Sequence, residues 1–184
     1  ALKLMANNTL PRSNVLNWGD GFSNSEYIIY RSFDNETVLL SNSINKEFID
    51  DIEDVFQNQF TDRTSSGEFC YYIETNSENY LSRSEIKCVF QEDVLFLPNA
   101  FNPLSNYEEN RTFKPKIAFI SEYSLTVYGP YGSVIFETKN PSEGWSGYLS
   151  DGTLAPRASY LYYISYKNAA GKQIKKKSYI NLVY

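Results

Sequence analysis

Residues 124–138 read SLTVYGPYGSVIFET, two short apolar segments joined by a turn-forming stretch. Valine, isoleucine, phenylalanine and tyrosine favour strands because their side chains pack well on a pleated surface. The central YGPYG, residues 128–132, contains two glycines and a proline, which are typical of a tight turn. The stretch therefore predicts a β-hairpin.

Similar segments recur on both sides of this hairpin. Apolar residues do not keep helical spacing over any stretch longer than about ten residues, whereas apolar and polar residues alternate repeatedly. Residues 48–56 are compatible with a strand or with a strand that runs into a short helical turn. We predict strands at residues 14–18, 26–31, 37–40, 68–74, 84–90, 95–97, 116–120, 124–128, 133–138, 160–166 and 179–184.

The composition indicates a folded chain, because 42% of its 184 residues are hydrophobic and 16% are aromatic. The polar sequence Gln91-Glu92-Asp93 separates the two series of predicted strands. Each series has the length of a small all-β domain. We therefore predict an all-β fold of two tandem β-sandwich domains, residues 1–92 and residues 93–184.

The charge distribution argues against nucleic acid as a partner. The net charge is -5, and the only cluster of basic residues lies within residues 172–177. The sequence contains neither an apolar run long enough to cross a bilayer nor a signal peptide at its start. We interpret the chain as an excised fragment or a mature terminus of an exported protein, with the export signal upstream.

The two cysteines are predicted to form a disulfide. If residues 68–74 and 84–90 form a hairpin that turns near Asn79, Cys70 lies directly opposite Cys88. Opposed residues of an antiparallel pair have Cα atoms about 4.5 to 5.5 Å apart, a span that a disulfide can bridge. Two free thiols in a cytosolic protein are the alternative, but nothing else in the sequence indicates the cytosol.

The sequence lacks the residues of common catalytic sites. It contains no histidine, which excludes Ser-His-Asp and Cys-His catalysis and the usual catalytic zinc sites. Three acidic pairs lie beside predicted turns: Asp50-Asp51, Glu53-Asp54 and Glu108-Glu109. Composition alone excludes neither a pair of glycosidase carboxylates nor a Ca²⁺ site at these residues. We predict no enzyme activity, no catalytic or cofactor-binding residue and no metal site, with Ca²⁺ as the one ion left open.

Three segments of the first domain, residues 15–18, 26–32 and 67–73, resemble those of a fibronectin type III module. The resemblance implies a sandwich in which Trp18 is the core tryptophan and the strand of Tyr71 and Tyr72 runs through the centre of a sheet. Such modules are spacers or binding platforms in surface proteins, so the resemblance alone assigns no ligand.

Residues 97–103 read LPNAFNP and resemble the PNAFTPN opening of the gliding motility-associated C-terminal domain. This family is a type B sorting domain of the type IX secretion system in Bacteroidota. Residues 125–136, 144–147 and 155–162 resemble its later motifs, LxIYNRWGxxVF, GWDG and PxGxYxY, in the same order. The residues of this chain that carry the resemblance are Pro98, Asn99, Phe101, Pro103, Tyr128, Gly132, Phe136, Gly144, Trp145, Gly147, Tyr160 and Tyr162.

The chain also departs from the family pattern. Residues 104–110, LSNYEEN, replace the usual NGDGxND, so a cation or tight turn expected there is not supported. Tyr131 stands where tryptophan is common, and Ser146 where aspartate is common. Ala158 and Ser159 occupy the usual glycine position, so a turn there has no glycine to adopt positive φ.

The resemblance implies that residues 93–184 are recognised by the type IX secretion machinery and by a PorP/SprF-like outer-membrane β-barrel. The passenger would be a gliding or adhesive protein on the outer surface of a Gram-negative bacterium, with residues 1–92 as its last stalk module. We interpret the aromatic motif residues as core, so that sorting information lies on loop tips, edge strands and the C-terminal strand. The predicted partner-binding residues are Tyr179, Ile180, Asn181, Leu182, Val183 and Tyr184.

Two other functions stay open. The chain could be an adhesive module that binds glycan or protein, using exposed tyrosine and tryptophan beside asparagine and aspartate. It could also be an accessory domain of a secreted hydrolase whose catalytic part lies upstream.

Overall fold

The computed structural model describes residues 2–10, 12–19, 25–59, 64–77 and 80–184. They form two compact units. The described residues up to 58, together with residues 67–92, make the first unit; residues 59, 64–66 and 93–184 make the second.

The first unit contains two antiparallel sheets, and buried residues alternate with accessible ones along β2, as expected of strands that cover a core on one face. Strands β1, β2 and β5 form one sheet in that order, and β4, β3, β6 and β7 form the other, with β8 also paired to β6. The elements are β1 (Lys3–Leu10), β2 (Ser13–Gly19), β3 (Tyr27–Phe33), β4 (Glu36–Ser43), β5 (Glu47–Asp51), α1 (Glu53–Gln59), β6 (Glu68–Ser77), β7 (Tyr80–Arg83) and β8 (Lys87–Phe90).

The core of the first unit consists of every second side chain of its central strands. Leu16 and Trp18 of β2 are buried, and the ring centroid of Trp18 lies 5.4 Å from that of Tyr27 on β3, edge to face. In β6, Phe69 and Ile73 are buried as well. Trp18 is therefore a core tryptophan, as predicted.

A buried polar network crosses the same unit. Arg31 on β3 donates from one Nη atom to both carboxylate oxygens of Asp50 on β5, at 2.9 and 3.0 Å. The hydroxyl of Tyr71 donates to Asp50 at 2.7 Å and accepts a hydrogen bond from Asn14 at 2.6 Å. Burial, and then the charge of Asp50, raise the pKa of Tyr71. These bonds satisfy polar groups that would be costly to bury alone.

The second unit is built on a five-stranded sheet with the order β10-β15-β14-β12-β13. A second sheet consists of β9 and β11, and isolated bridges join Phe113 to Trp145 and Tyr148 to Leu154. The elements are β9 (Val94–Phe96), β10 (Ala100–Phe101), a 3-10 helix (Glu108–Asn110), β11 (Lys116–Ala118), β12 (Ile120–Tyr128), β13 (Val134–Thr138), β14 (Ser159–Asn168) and β15 (Gln173–Leu182).

The predicted all-β class with tandem sandwiches is confirmed, and the hairpin of β12 and β13 forms as predicted. Several boundaries were wrong. Strands β1, β7 and β10 were not predicted, and residues 84–86 lie between strands instead of within one. The ambiguous residues 48–56 contain the end of β5 followed by the start of α1. The last strand begins at Gln173 and ends at Leu182, not at residues 179 and 184.

Candidate functional site

The GWSG motif, residues 144–147, places Trp145 in the core of the second unit. The backbone N–H groups of Phe113 and Trp145 each donate to the other residue's carbonyl, at 2.8 and 3.1 Å. The indole Nε1 of Trp145 donates to the carbonyl of Tyr148 at 3.0 Å. The rings of Trp145 and Tyr160 pack edge to face, with their centroids 4.8 Å apart. Trp145 is therefore held from three sides and is a core residue.

The two motif glycines leave room for close packing. A Cβ on Gly144 would lie 2.9 Å from the carbonyl oxygen of Phe113. Gly147 has φ of 82°, and a Cβ there would lie 2.5 Å from Pro103 and 3.1 Å from Leu182. The turn at Gly147 thus joins the opening motif to the C-terminal strand, and no other residue type fits without displacement.

The opening motif covers the end of the C-terminal strand. After β9, the chain passes through Pro98 from the two-stranded sheet to the five-stranded sheet. There, Ala100 and Phe101 of β10 pair in parallel with Asn181 and Leu182 of β15. The N–H of Asn181 and its side-chain amide both donate to the carbonyl of Asn99, at 3.1 and 3.0 Å. Phe101 is buried, whereas Asn99 is exposed and Pro103 is partly buried.

The remaining motif residues divide between core and surface. Tyr160 and Tyr162 are buried, and the hydroxyl of Tyr160 donates to the carbonyl of Pro156 at 2.6 Å. Tyr128 and Phe136 are only partly buried. Phe136 packs against the margin of the core, whereas Tyr128 lies on the other face of the sheet, so the prediction that Tyr128 is a core residue was wrong. Gly132 has φ of 82° in the hairpin turn, as a tight turn requires.

The predicted partner-binding segment alternates between core and surface. Ile180 and Leu182 are buried, so they cannot contact a partner directly. Tyr179 is 62% exposed and Val183 is 46% exposed, on the opposite side of the chain. The guanidinium of Arg157 lies 4.4 Å from the ring centroid of Tyr184, which is partly buried against the core.

The structure corrects the expectation that this segment is an open sheet edge. Residues 181–183 donate to Asn99, Phe101 and Ala158, so β10 and β14 flank them on both sides. Among the described residues, the open part of β15 is instead Gln173 to Ile180, which pairs only with β14. Lys175, Lys176 and Lys177 therefore lie within the edge strand and are exposed.

A second surface feature was not predicted. The register aligns Tyr128, Leu161 and Tyr179 across β12, β14 and β15, on the face opposite the buried residues. Val134, opposite Tyr128, is 53% exposed, and Tyr131 at the hairpin tip is 99% exposed. The alternation in the individual strands is visible in the sequence, but the row depends on the register between strands.

In the first unit, Cys70 and Cys88 form the predicted disulfide and lie directly opposite each other. The group Glu68, Cys70 and Cys88 is the only cluster of possible metal ligands among the described residues. Because both thiols are in the disulfide, the group does not have the thiolates that a zinc site requires.

Comparison with known proteins assigns part of the chain. Residues 95–182 match the family model of the CHU_C type IX secretion signal domain. No curated protein matches the chain. No helix among the described residues is long and apolar enough to cross a membrane.

Among solved structures, the chain is similar to a tetra-tandem repeat in the extending region of a large adhesion protein, at 12% identity with a TM-score of 0.47. That match covers 98% of this chain and 48% of the other. PorZ, a surface component of the type IX secretion system of Porphyromonas gingivalis, matches at 16% identity with a TM-score of 0.31, over 61% of this chain and 15% of PorZ. Dimeric latent PorU of the same organism matches at 12% identity with a TM-score of 0.34, over 98% of this chain and 20% of PorU.

Proposed function

Because residues 95–182 match a type IX secretion signal domain, we propose that the second unit is the sorting signal of a secreted, cell-surface protein. The family match is the observation that carries this proposal. It agrees with the structure of the motif residues, because Trp145, Gly147 and Phe101 belong to one packed arrangement with the C-terminal strand.

The proposed partner is the type IX secretion machinery, including a PorP/SprF-like outer-membrane β-barrel. Five of the twelve motif residues are buried and five more are partly buried, so they contribute mainly to the fold and recognition falls to groups that solvent reaches. Two such features are the open edge of β15 and the row formed by the exposed Tyr179 with the partly exposed Leu161 and Tyr128. Tyrosine is frequent at interaction hot spots, which supports the row as a contact surface.

The rest of the proposal concerns the passenger. We propose that it is a gliding or adhesive protein on the outer membrane and that the first unit is a fibronectin type III-like stalk module. The three-stranded and five-stranded antiparallel sheets of that unit, with Trp18 in the core, support the second point.

A reporter fusion tests the sorting function. Residues 93–184 are fused to a signal peptide and a reporter, in cells with a type IX system and its matching barrel. We expect the reporter at the cell surface, and the same reporter fused to residues 1–92 should stay in the periplasm. Failure of the second unit to move the reporter, in cells that export their native cargo, would contradict the sorting function.

A second candidate function is adhesion by the first unit. On the outer side of its larger sheet, Tyr30 and Tyr72 stack with ring centroids 4.6 Å apart, and the guanidinium of Arg83 lies 3.6 Å from the Tyr72 centroid. This ordered group suits a protein or glycan contact, whereas the two tryptophans are buried and do not contribute. Glycan-array binding by the chain, lost on Tyr72→Ala, would favour adhesion over a stalk role. A role beside an upstream hydrolase stays a third proposal.

A further inference from the structure

The open edge of β15 presents a regular set of unpaired backbone groups. The N–H groups of Asn181 and Val183 point to β10, whereas that of Leu182 points to β14. Since these directions alternate along a strand, the N–H groups of Lys175, Lys177 and Tyr179 point away from β14. In the described part of the chain, no strand pairs with β15 on that side before Asn181.

The same edge carries positive charge that the domain does not neutralise. Lys175, Lys176 and Lys177 are exposed, and their partners across β14 are Ser165, Ile164 and Tyr163. Among the described residues, none of these lysines has an ion pair. The whole chain has a net charge of -5, so this positive edge is opposite in sign to the protein.

We propose that residues 173–180 of β15 bind an extended acidic segment of a partner, which adds as a further strand to the five-stranded sheet. Backbone hydrogen bonds to the alternate N–H and C=O groups hold the segment, and its carboxylates lie beside Lys175 and Lys177, which share one face of β15. β10 ends the site at Asn181, because it already occupies the edge there. The inference deepens the proposed function, since it takes the segment to belong to the secretion machinery.

Lysines on an edge strand also prevent unwanted pairing between sheets, and this protective role needs no partner. The two roles predict different behaviour with an acidic strand. If the edge is only protective, it should bind no added strand. If it is a binding edge, its backbone should form hydrogen bonds with an acidic strand and not with a basic one.

Hydrogen exchange on the whole chain separates them. The probe is an end-capped octapeptide that alternates glutamate with valine. At saturation we expect the amides of Lys175, Lys177 and Tyr179 to exchange at least tenfold more slowly. The amides of Lys176 and Ser178 should not change, because they already face β14. A matched peptide with lysine in place of glutamate should have no effect. No protection by the acidic peptide, or equal protection by both peptides, overturns the proposal.

Two variants of Lys177 distinguish the contribution of its backbone N–H from that of its side-chain charge. Lys177→Gln and Lys177→Pro both remove the charge, but only proline removes an N–H that faces the edge. We expect Lys177→Gln to weaken peptide binding a few-fold and Lys177→Pro to weaken it at least tenfold, with circular dichroism unchanged in both. Equal affinity for the two variants overturns strand addition.

The reporter fusion connects the edge to secretion. Lys177→Pro should lower surface display more than Lys177→Gln. If both variants are displayed as well as the native domain, the segment does not belong to the secretion machinery. If the native domain itself is not displayed, the proposed function fails, and the peptide experiment still decides whether the edge binds an acidic strand.

Discussion

At the scale of single residues, Gly147 and Gly152 have nearly the same φ, 82° and 81°, but different surroundings. A Cβ at Gly147 meets Pro103 at 2.5 Å, whereas a Cβ at Gly152 has nothing within 4 Å. We expect Gly152→Ala to cost about 1 to 2 kcal/mol through backbone strain, and Gly147→Ala to cost about 1 to 3 kcal/mol more through overpacking. Urea unfolding followed by circular dichroism measures both, and equal losses would contradict the packing role.

The buried tyrosines make stability depend on pH. Burial raises the pKa of Tyr123, and burial followed by a hydrogen bond to Asp93 raises that of Tyr166. Below pH of about 10, these phenols are protonated in both the folded and the unfolded chain. Above it, the unfolded chain loses protons that the folded chain keeps, so we expect the free energy of unfolding to fall as pH rises. Urea unfolding at pH 8 to 11 checks this.

Tyr123 and Tyr166 differ in a way that provides a control. The hydroxyl of Tyr123 is buried and has no hydrogen-bond partner among the residues that the structure describes, whereas that of Tyr166 donates to Asp93 at 2.7 Å. Tyr123→Phe should leave stability at pH 7 unchanged or raise it, and it should reduce the alkaline loss. Tyr166→Phe should cost about 1 to 3 kcal/mol at pH 7, because Asp93 loses its donor. A larger cost at Tyr123 would mean that its hydroxyl is bonded.

At the scale of elements, the disulfide joins two strands that are already paired. β6 pairs with β8 through Cys70 and Cys88, but it pairs with β7 in a register shifted by one residue, with Glu74 opposite Arg83. The single register assumed for the whole hairpin was therefore wrong beyond residues 84–86, although it was right at the cysteines. Residues 84–86 lie between the two registers and take up the shift.

Removing the disulfide should have a moderate effect. Cys70→Ala with Cys88→Ala should cost less than about 3 kcal/mol, the value for a loop of this length, because the strands already restrain the chain. Intact mass should increase by about two protons per molecule on reduction. Urea unfolding with and without reductant gives the energetic effect. An unchanged mass would show that the disulfide is absent.

The C-terminal strand cannot be shortened without loss of fold. Deletion of residues 180–184 removes Ile180 and Leu182 from the core, and each loss costs about 2 to 5 kcal/mol. It also removes the partner of β10, so we expect the second unit to unfold in thermal melts monitored by circular dichroism. The deletion therefore cannot test recognition. As a control, Tyr179→Ser with Val183→Ser should leave the melting temperature nearly unchanged, because both side chains are exposed.

At the scale of the whole molecule, we expect the chain to catalyse no reaction. It contains no histidine. Two of the acidic residues considered for a glycosidase site form ion pairs instead, Asp50 with Arg31 and Glu53 with Arg12. When the purified chain is incubated with panels of esters, peptides and glycans, the rate of turnover should not exceed the rate in buffer alone. Turnover that disappears on substitution of a single carboxylate would contradict this expectation.

The sequence alone was sufficient for features that depend on local patterns. Alternation of apolar and polar residues identified the all-β class, and the YGPYG turn identified the hairpin of β12 and β13. The cysteine pair followed from strand register, because opposition across two adjacent strands needs only counting. The ordered motifs of residues 97–162 predicted a resemblance to a type IX secretion sorting domain, and the family match over residues 95–182 supports that resemblance.

Only the tertiary structure decided which groups are accessible. Burial of Ile180 and Leu182 depends on the core that Trp145, Phe101 and Tyr160 form from distant parts of the chain. Likewise, β10 has two residues, too few for a periodic pattern, yet it moves the open edge of β15 from residues 179–184 to residues 173–180. Local sequence determines which segments become strands, but strand order determines which edges stay open, because that order comes from pairing between residues far apart in the chain.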